Sequence, residues 1–398
     1  MNWLFSGLMI VFLPGCFLEE NKKSVPGNQS SSSDRALFFT AVDPLSQTRS
    51  ASVYRFIPGE SQESLIASGE GSDPLFFALG EKLVLFNRSL GQQSARVLIG
   101  ASDGRVNSTQ QLRIGDPHDA LLLKNGKVLL ALYNEGMLAI WDPQTQTIQK
   151  LDQYQWDLPA NISLHPVQLL RMTSVFGDVV MVLHQSFDFR DGKFISNDSQ
   201  RFFVFTENEE GVLTPLDLDR STPVITGKAL KGSFPQAWNV SSRKLITLAM
   251  CSRFLAEGSP CNSVVETIDD HFEVKELWNL SASPWMMNGL AEFDPSSMKI
   301  FANVETLDAA KSQYEPHTIE LNVELKEIRD LYQHNPKFGG AWSLVLDHVK
   351  QELYIGDVSE DRKGLYSVFN LSTYERVNQL KLDLVPYSAK FFGPSGNQ

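Results

Sequence analysis

The stretch Pro117-His118-Asp119-Ala120-Leu121-Leu122-Leu123-Lys124-Asn125-Gly126-Lys127-Val128-Leu129-Leu130-Ala131-Leu132-Tyr133 decides the fold. A modest apolar run meets a tight polar turn at Lys124–Lys127, and a stronger apolar run follows it. Short apolar runs bounded by Gly, Asn, Asp and Pro read as β-strands. The pattern continues through the loop Asn134-Glu135-Gly136 into Met137-Leu138-Ala139-Ile140-Trp141. It then turns at Asp142-Pro143-Gln144-Thr145 and ends on a polar run from Thr147 to Leu151. Four strands fit into one unit.

The unit recurs. Proline punctuates the chain at Pro74, Pro117, Pro166, Pro235, Pro284, Pro336 and Pro386, at intervals of 43 to 69 residues. After each of the first six comes the same succession of strand, tight turn, stronger strand, loop and further strands. From Phe338 it runs through Ala341 to Leu346, Asp347-His348-Val349-Lys350, Glu352 to Ile355, Gly364 to Phe369 and Val377 to Leu382. Four strands repeating every 40–50 residues are the signature of propeller blades. Other strong runs, Val179 to Leu183 and Phe202 to Phe205, agree. Long helical periodicity is absent; Leu325 to Tyr332 reads as one or two helical turns. The sequence opens at Ala36 with what resembles a second strand and closes after Pro386 with Ser388-Ala389-Lys390-Phe391-Phe392, a lone first strand. Joined, the two ends complete a blade and remove the open sheet edges. The expectation is an all-β, seven-bladed β-propeller of four-stranded blades over residues 35–398, the first blade closed by the C-terminal strand.

This Pro-strand-turn-strand-loop-strand-Asp-Pro-x-Thr pattern, clearest from Pro117 to Gln149, resembles the blades of bacterial propellers of the YVTN/cytochrome-d1-like superfamily. The resemblance implies the fold across nearly the whole chain. It does not imply one activity, because that architecture hosts binding scaffolds, hydrolases and oxidoreductases.

The N-terminus carries an address. Trp3 to Leu13 is uncharged and too short to span a bilayer, and it runs into Leu13-Pro14-Gly15-Cys16. An apolar leader ending in a small residue and Cys resembles the lipobox of bacterial lipoproteins. That resemblance implies a signal peptide at 1–15 and acylation, such as palmitate, at Cys16. Phe17 is not the Asp associated in that family with inner-membrane retention, so it implies the outer membrane. An ordinary cleaved leader with an incidental Cys is the alternative. Glu19 to Asp34, with Pro26, Gly27, Asn28 and four consecutive serines from Ser30, has a composition that cannot offset its ordering entropy. Residues 16–34 therefore read as the lipidated Cys and a flexible stalk.

Composition narrows the partners. The formal charge of −12 supplies no clustered basic surface for nucleic acid, nor a polybasic membrane contact. Membrane attachment would rest on the N-terminal lipid alone. The apolar content of 42% is enough for a packed core. Of the three cysteines, Cys251 and Cys261 remain as a pair once Cys16 is assigned to lipid. In an exported protein they read as a disulfide closing a short loop, which contributes about 2–3 kcal/mol.

In a propeller the loops entering the first strand and joining the second to the third share one face. The latter lengthen here, at His184–Gln200, Cys251–Asn262, Glu305–Pro316 and Asp357–Lys363. Insertions confined to one kind of connection build up one face, often the binding face; they are equally compatible with tolerated decoration. Trp238, Trp285 and Trp342 follow punctuating prolines by a few residues, alongside His118 and His165. They form a candidate binding face at the channel mouth, with inward core packing as the rival reading. No Gly-x-Ser-x-Gly elbow, His-Glu-x-x-His helix, phosphate-cradling glycine loop or haem-attachment motif occurs, so no catalytic residue, metal ligand or cofactor is assigned. Asp188, Asp191 and Asp198 share one loop, but their spacing is not that of an EF-hand. The function read from these features is a monomeric, membrane-anchored propeller that binds or scaffolds an envelope protein or polymer. The alternative is a metal-assisted hydrolase with carboxylates such as Asp119, Asp188 or Asp357, or a small-ligand or sugar binder at the channel mouth.

Overall fold

A computed structural model describes residues 35–392 apart from 43–50, 59–62, 71–73, 81, 88–94, 101–105, 113–115, 152–162, 191–192, 197–199, 217, 219–227, 231–234, 254, 256–260, 309, 312 and 339–342. The leader, Cys16 and the stretch up to Asp34 lie outside the described residues.

The chain is a β-propeller of antiparallel blades. In chain order the strands are β1 (Ala36–Val42), β2 (Ala51–Phe56) and β3 (Ser64–Glu70), then β4 (Pro74–Leu79), β5 (Lys82–Asn87), β6 (Ala95–Gly100) and β7 (Val106–Leu112). Blade 2 holds β8 (Pro117–Leu122), β9 (Val128–Leu132), β10 (Met137–Asp142) and β11 (Thr147–Lys150). Blade 3 holds β12 (Ser163–Ser174), β13 (Gly177–Arg190), β14 (Lys193–Ser196), β15 (Gln200–Glu207), β16 (Leu213–Leu216) and β17 (Lys228–Leu230). Blade 4 is β18 (Gln236–Ser241), β19 (Lys244–Ala249), β20 (Val264–Asp269) and β21 (Val274–Asn279). Blade 5 is β22 (Met286–Asp294), β23 (Lys299–Asp308), β24 (Gln313–Asn322) and β25 (Glu327–Gln333). Blade 6 is β26 (Ser343–Asp347), β27 (Glu352–Val358), β28 (Gly364–Asn370) and β29 (Arg376–Leu382). The last strand, β30 (Val385–Phe392), pairs with β1, so the closing blade has the order β3-β2-β1-β30, while blade 1 is β4 to β7. Both ends of the chain thus build one sheet, as the count of end strands predicts. Among the described residues, the sheet of blade 3 has six strands and the others four.

The innermost strands are β30, β4, β8, β12, β18, β22 and β26. Each has one unpaired edge toward the axis, which explains the proline punctuation. A proline removes a ladder donor, and at Pro74, Pro117, Pro166 and Pro386 no ladder partner is needed on the channel side.

The second strands are buried on both sides, which is why they read as continuous apolar runs. In β9, Val128, Leu130 and Leu132 face blade 1, while Leu129 and Ala131 face blade 3. In β13, Val180 and Val182 face blade 2, while Val179, Met181 and Leu183 face blade 4. The same alternation fills every junction round the ring, ending at Leu37, Phe39, Tyr354 and Tyr366 between blade 6 and the closing blade. Outer strands such as β29 are largely exposed and polar.

One face is tied by tight hairpins that begin on Asp or Asn. Asp142 Oδ1 accepts the amides of Gln144 and Thr145, Asp269 Oδ1 those of His271 and Glu273, and Asn370 Oδ1 those of Ser372 and Thr373. These Asx turns let a short side chain substitute for a backbone acceptor. Gly211 is required at one of them. Its φ is +71°, and a Cβ there would lie 2.4 Å from the Asn125 side chain, which donates to the Glu210 carbonyl at 2.8 Å.

Two local expectations are corrected. Leu325 to Tyr332 is a turn followed by β25, not helix; its register against β24 overrides the helix-favouring Glu, Lys and Arg side chains. Glu305–Pro316 is mostly ladder, with β23 and β24 paired out to Asp308 and Gln313, and β13 runs on past His184 to pair with β14 over Phe187–Arg190. The lengthened connections of blades 3 and 5 are therefore raised hairpins rather than loops. Among the described residues no helix is long and apolar enough to cross a membrane.

Candidate functional site

The raised hairpins and the entries to the inner strands share the face opposite the Asx turns. Its floor is set by two bulges. Pro117 pairs with Leu132 and Asp119 with Ala131, leaving His118 as the extra residue; Pro166 pairs with His184 and Gln168 with Leu183, leaving Val167 extra. Bulges re-aim the neighbouring side chains. Asp119 Oδ1 accepts the Ala120 amide at 2.8 Å, and Oδ2 reaches the next inner strand to accept the Leu169 amide at 2.7 Å. Gln168 reaches on to Ala237, and Gln236 Nε2 donates to the Gly289 carbonyl at 3.5 Å. Side chains thus link β8, β12, β18 and β22 in sequence. Burial pushes the Asp119 carboxyl well above the usual carboxylate range, against the pull of those amides and the positive charge of Lys390.

Over this floor, between blades 2 and 3, Tyr133 is held between two imidazoles. His118 stacks on it at 4.1 Å between centroids and 17° between planes, and His165 lies 4.7 Å away on a tilted plane. The phenol donates to Gln185 Oε1 at 3.0 Å, His165 Nδ1 donates to the Tyr133 carbonyl at 2.9 Å, and His118 Nε2 lies 3.0 Å from Asp116 Oδ2. Burial lowers the His165 imidazole and takes that of His184 to about 3, so both are neutral near pH 7.

A second group spans blades 4 to 6. Cys251 and Cys261 form a disulfide with Cα atoms 5.7 Å apart. The Cys251 carbonyl accepts the Met287 amide at 2.6 Å, which fastens the loop to blade 5. From that loop Arg253 Nε lies 3.2 Å from Glu305 Oε1, and its guanidinium sits 5.0 Å over the Tyr314 ring. Burial raises the Glu305 carboxyl to about 7, with Arg253 opposing the rise. Beside it, Thr318 Oγ1 lies 2.8 Å from both Asn303 Oδ1 and His334 Nε2. Tyr332 donates to Asp357 Oδ2 at 2.9 Å, and Asp357 Oδ1 accepts the Val358 amide at 2.7 Å. Burial and the Asp357 charge push the Tyr332 phenol up to about 12.

The residues singled out from sequence divide accordingly. His118 and His165 meet through Tyr133. Trp238 lies 6.0 Å from Phe293 in the core between blades 4 and 5, and half-buried Trp285 packs on the same core with its ring 5.0 Å from His317. Trp342 lies outside the described residues, as do Asp191 and Asp198. Asp119 and Asp357 are engaged by protein donors. Among the described residues, the one group with metal-ligand proximity is Asp269, Asp270 and His271, on the opposite face in an Asx hairpin. Tyr133, Gln185, Arg253 and Glu305 escaped the sequence reading. Each is displaced from the proline-linked positions and meets its partners only through contacts between elements distant in sequence.

These features define a β-propeller with one built-up face, and known structures share that architecture. No family model and no curated protein matches the chain. Among solved structures, the periplasmic gluconolactonase of Pseudomonas aeruginosa superposes with a TM-score of 0.58 at 11% identity, covering 90% of this chain and 99% of that one. A proposed 6-phosphogluconolactonase from Bacteroides fragilis gives 0.57 at 13%, covering 92% and 99%. A protein from Lactobacillus plantarum gives 0.56 at 8%, covering 90% and 99%. At these identities the likeness is one of fold.

Proposed function

We propose that the protein is a binding or scaffolding module of the bacterial cell envelope, a propeller held at the outer membrane through Cys16. Its built-up face engages a protein or polymer partner. The observation that carries this reading is the raised rim itself. The 14-residue β13 and the ten-residue hairpin strands β23 and β24 stand above ordinary blade length, and the disulfide loop is fastened beside them. A preformed, stiffened surface loses little ordering entropy when it binds. The hydrolase alternative is weakened by the engagement of its channel-mouth carboxylates. Asp119 has an oxygen on each of two backbone amides, Asp357 holds Val358 and Tyr332, and both are buried, while the side chain of Asp188 lies outside the described residues. The gluconolactonase neighbours suggest lactone hydrolysis only through shared architecture.

The test uses the exposed rim rather than the half-buried tryptophans, whose loss would disturb the core. Leu307 and Lys311 sit at the tip of the β23–β24 hairpin, both largely exposed. Affinity isolation from cross-linked envelopes is expected to recover one partner reproducibly. Leu307→Asp with Lys311→Glu is expected to reduce that recovery severalfold while thermal stability stays unchanged. Equal recovery by the rim variant, or no reproducible partner, would overturn the reading.

A further inference from the structure

Among the described residues, large apolar side chains are half exposed or more at several hairpin tips on the face of the Asx turns. Leu307 belongs to the raised rim. Leu65, Val175, Phe176, Val212, Leu325, Val349 and Val377 lie at the opposite end of the disc. Val175 and Phe176 form the β12–β13 turn, Val212 ends the turn into β16, Leu325 lies in the β24–β25 turn and Val349 in the β26–β27 turn. Leu65 and Val377 are the second residues of β3 and β29, outer strands that start from this end. Phe176 is supported from behind by a parallel ring, buried Phe272, 6.1 Å away.

The chain enters the fold at the same face. Ala36 pairs with Phe392, the last residue of inner strand β30, and Arg35 makes an ion pair with Asp347. Asp347 in turn caps the hairpin that carries Val349, accepting its amide at 3.0 Å. Whatever precedes Arg35 therefore meets the propeller beside one of the exposed apolar tips. About twenty residues separate Cys16 from Arg35, and a coil of that length has a typical span of about 25 Å. That is close to the height of a blade, so the tether favours the entry face and the apolar tips reinforce the choice.

We infer that the face bearing the Asx hairpins is a membrane-docking surface, seated on the lipid bilayer that holds Cys16, so that the raised rim points away from the membrane. The inference rests on the proposed acylation of Cys16 but concerns a separate property, orientation. The net charge of −12 and the mixture of Lys and Glu on these hairpins, such as Lys124 with Glu209, leave apolar insertion at the interface as the adhesive contribution. The contact is consequently insensitive to salt.

The test incorporates photoreactive benzoylphenylalanine singly at Phe176, Leu325 and Leu307 in the full chain. The protein is purified from membranes and reconstituted in phosphatidylethanolamine–phosphatidylglycerol vesicles. The mass of the Cys16 peptide reports acylation on its own. If no acyl group is present, coupling the same chain through the Cys16 thiol to a maleimide lipid still reads the orientation. Lipid adducts are expected at Phe176 and Leu325 at least about tenfold above Leu307, since strands of six or seven residues hold the faces more than about 20 Å apart. The adducts should persist at about 0.5 M salt. Equal or greater lipid labelling at Leu307 overturns the inference. So does a Phe176 adduct with a second copy of the chain in place of lipid.

Discussion

The side chain of Gln168 grips the backbone of Ala237 at both ends: Oε1 accepts its amide at 2.8 Å and Nε2 donates to its carbonyl at 2.6 Å. Both residues are buried, so the pair replaces water for two main-chain groups at once. Together with Asp119 on Leu169, it makes the inner strands of blades 2 to 4 a linked series rather than a set of abutting edges.

Removing this grip has a calculable cost. Gln168→Leu keeps the volume but leaves a buried N–H and a buried C=O unsatisfied, which should destabilise the propeller by about 2–4 kcal/mol in denaturant titration. A loss below about 0.5 kcal/mol would show that the inner ring does not depend on side-chain bridges.

Two buried groups give opposite pH dependences. Glu305 has its carboxyl raised from 4.5 to about 7, so the folded state binds more protons than the unfolded chain in that window. Its contribution to stability falls as pH rises from about 4.5 to 7. His184 is lowered from 6.5 to about 3, so the unfolded chain binds more protons between those values, and its contribution falls as pH drops through them. The two offset each other between about pH 4.5 and 6.5. Glu305→Gln should therefore make stability drop more steeply on acidification, by an extra amount on the order of 2 kcal/mol between pH 7 and 5, as read from unfolding curves at several pH values. Parallel pH profiles for wild type and variant would contradict the assignment.

The disulfide loop is predicted to be a local clamp. Cys251→Ser with Cys261→Ser should cost about 2–3 kcal/mol by the loop-entropy argument. Hydrogen exchange should rise at residues 251–261 and around Tyr314, where Arg253 lies over the ring, while blades 1 to 3 stay protected. Loss of protection throughout the ring would mean that the bridge holds the whole fold.

The aromatic sandwich predicts a graded pair of effects. Tyr133→Phe removes the hydrogen bond to Gln185 and should cost about 1–2 kcal/mol. Tyr133→Ala also removes contacts with both His118 and His165 and should cost about 3–5 kcal/mol. Equal losses from the two variants would show that the stack contributes nothing beyond its hydroxyl.

The blade plan was legible because its causes are local. A proline is tolerated on an inner strand with a free edge, a doubly buried second strand must be continuously apolar, and an Asp or Asn starts many of the tight hairpins. The closure was legible for the same reason, since Ser388 to Phe392 matched the missing strand, and so was the pairing of Cys251 with Cys261. The helical reading of Leu325 to Tyr332 failed because β25 takes its conformation from β24, not from its own propensities. The built-up face was legible only as lengthened connections. That β13 and β23–β24 continue as ladders, and that Arg253 meets Glu305 across a blade junction, depends on register and inter-blade geometry. Trp238 and Trp285 looked alike in sequence to His118 and His165, yet alternation along the strands turned the tryptophans toward the core.

The central claim is that the built-up face receives an envelope partner. Photoreactive benzoylphenylalanine placed at Leu307 and at Lys311 in living cells, with Asp142 on the opposite face as the control, tests it most directly. The account predicts a discrete, reproducible protein adduct from the first two positions and none from the third. Absence of any discrete adduct at Leu307 and Lys311, with the protein present at normal abundance, would contradict it.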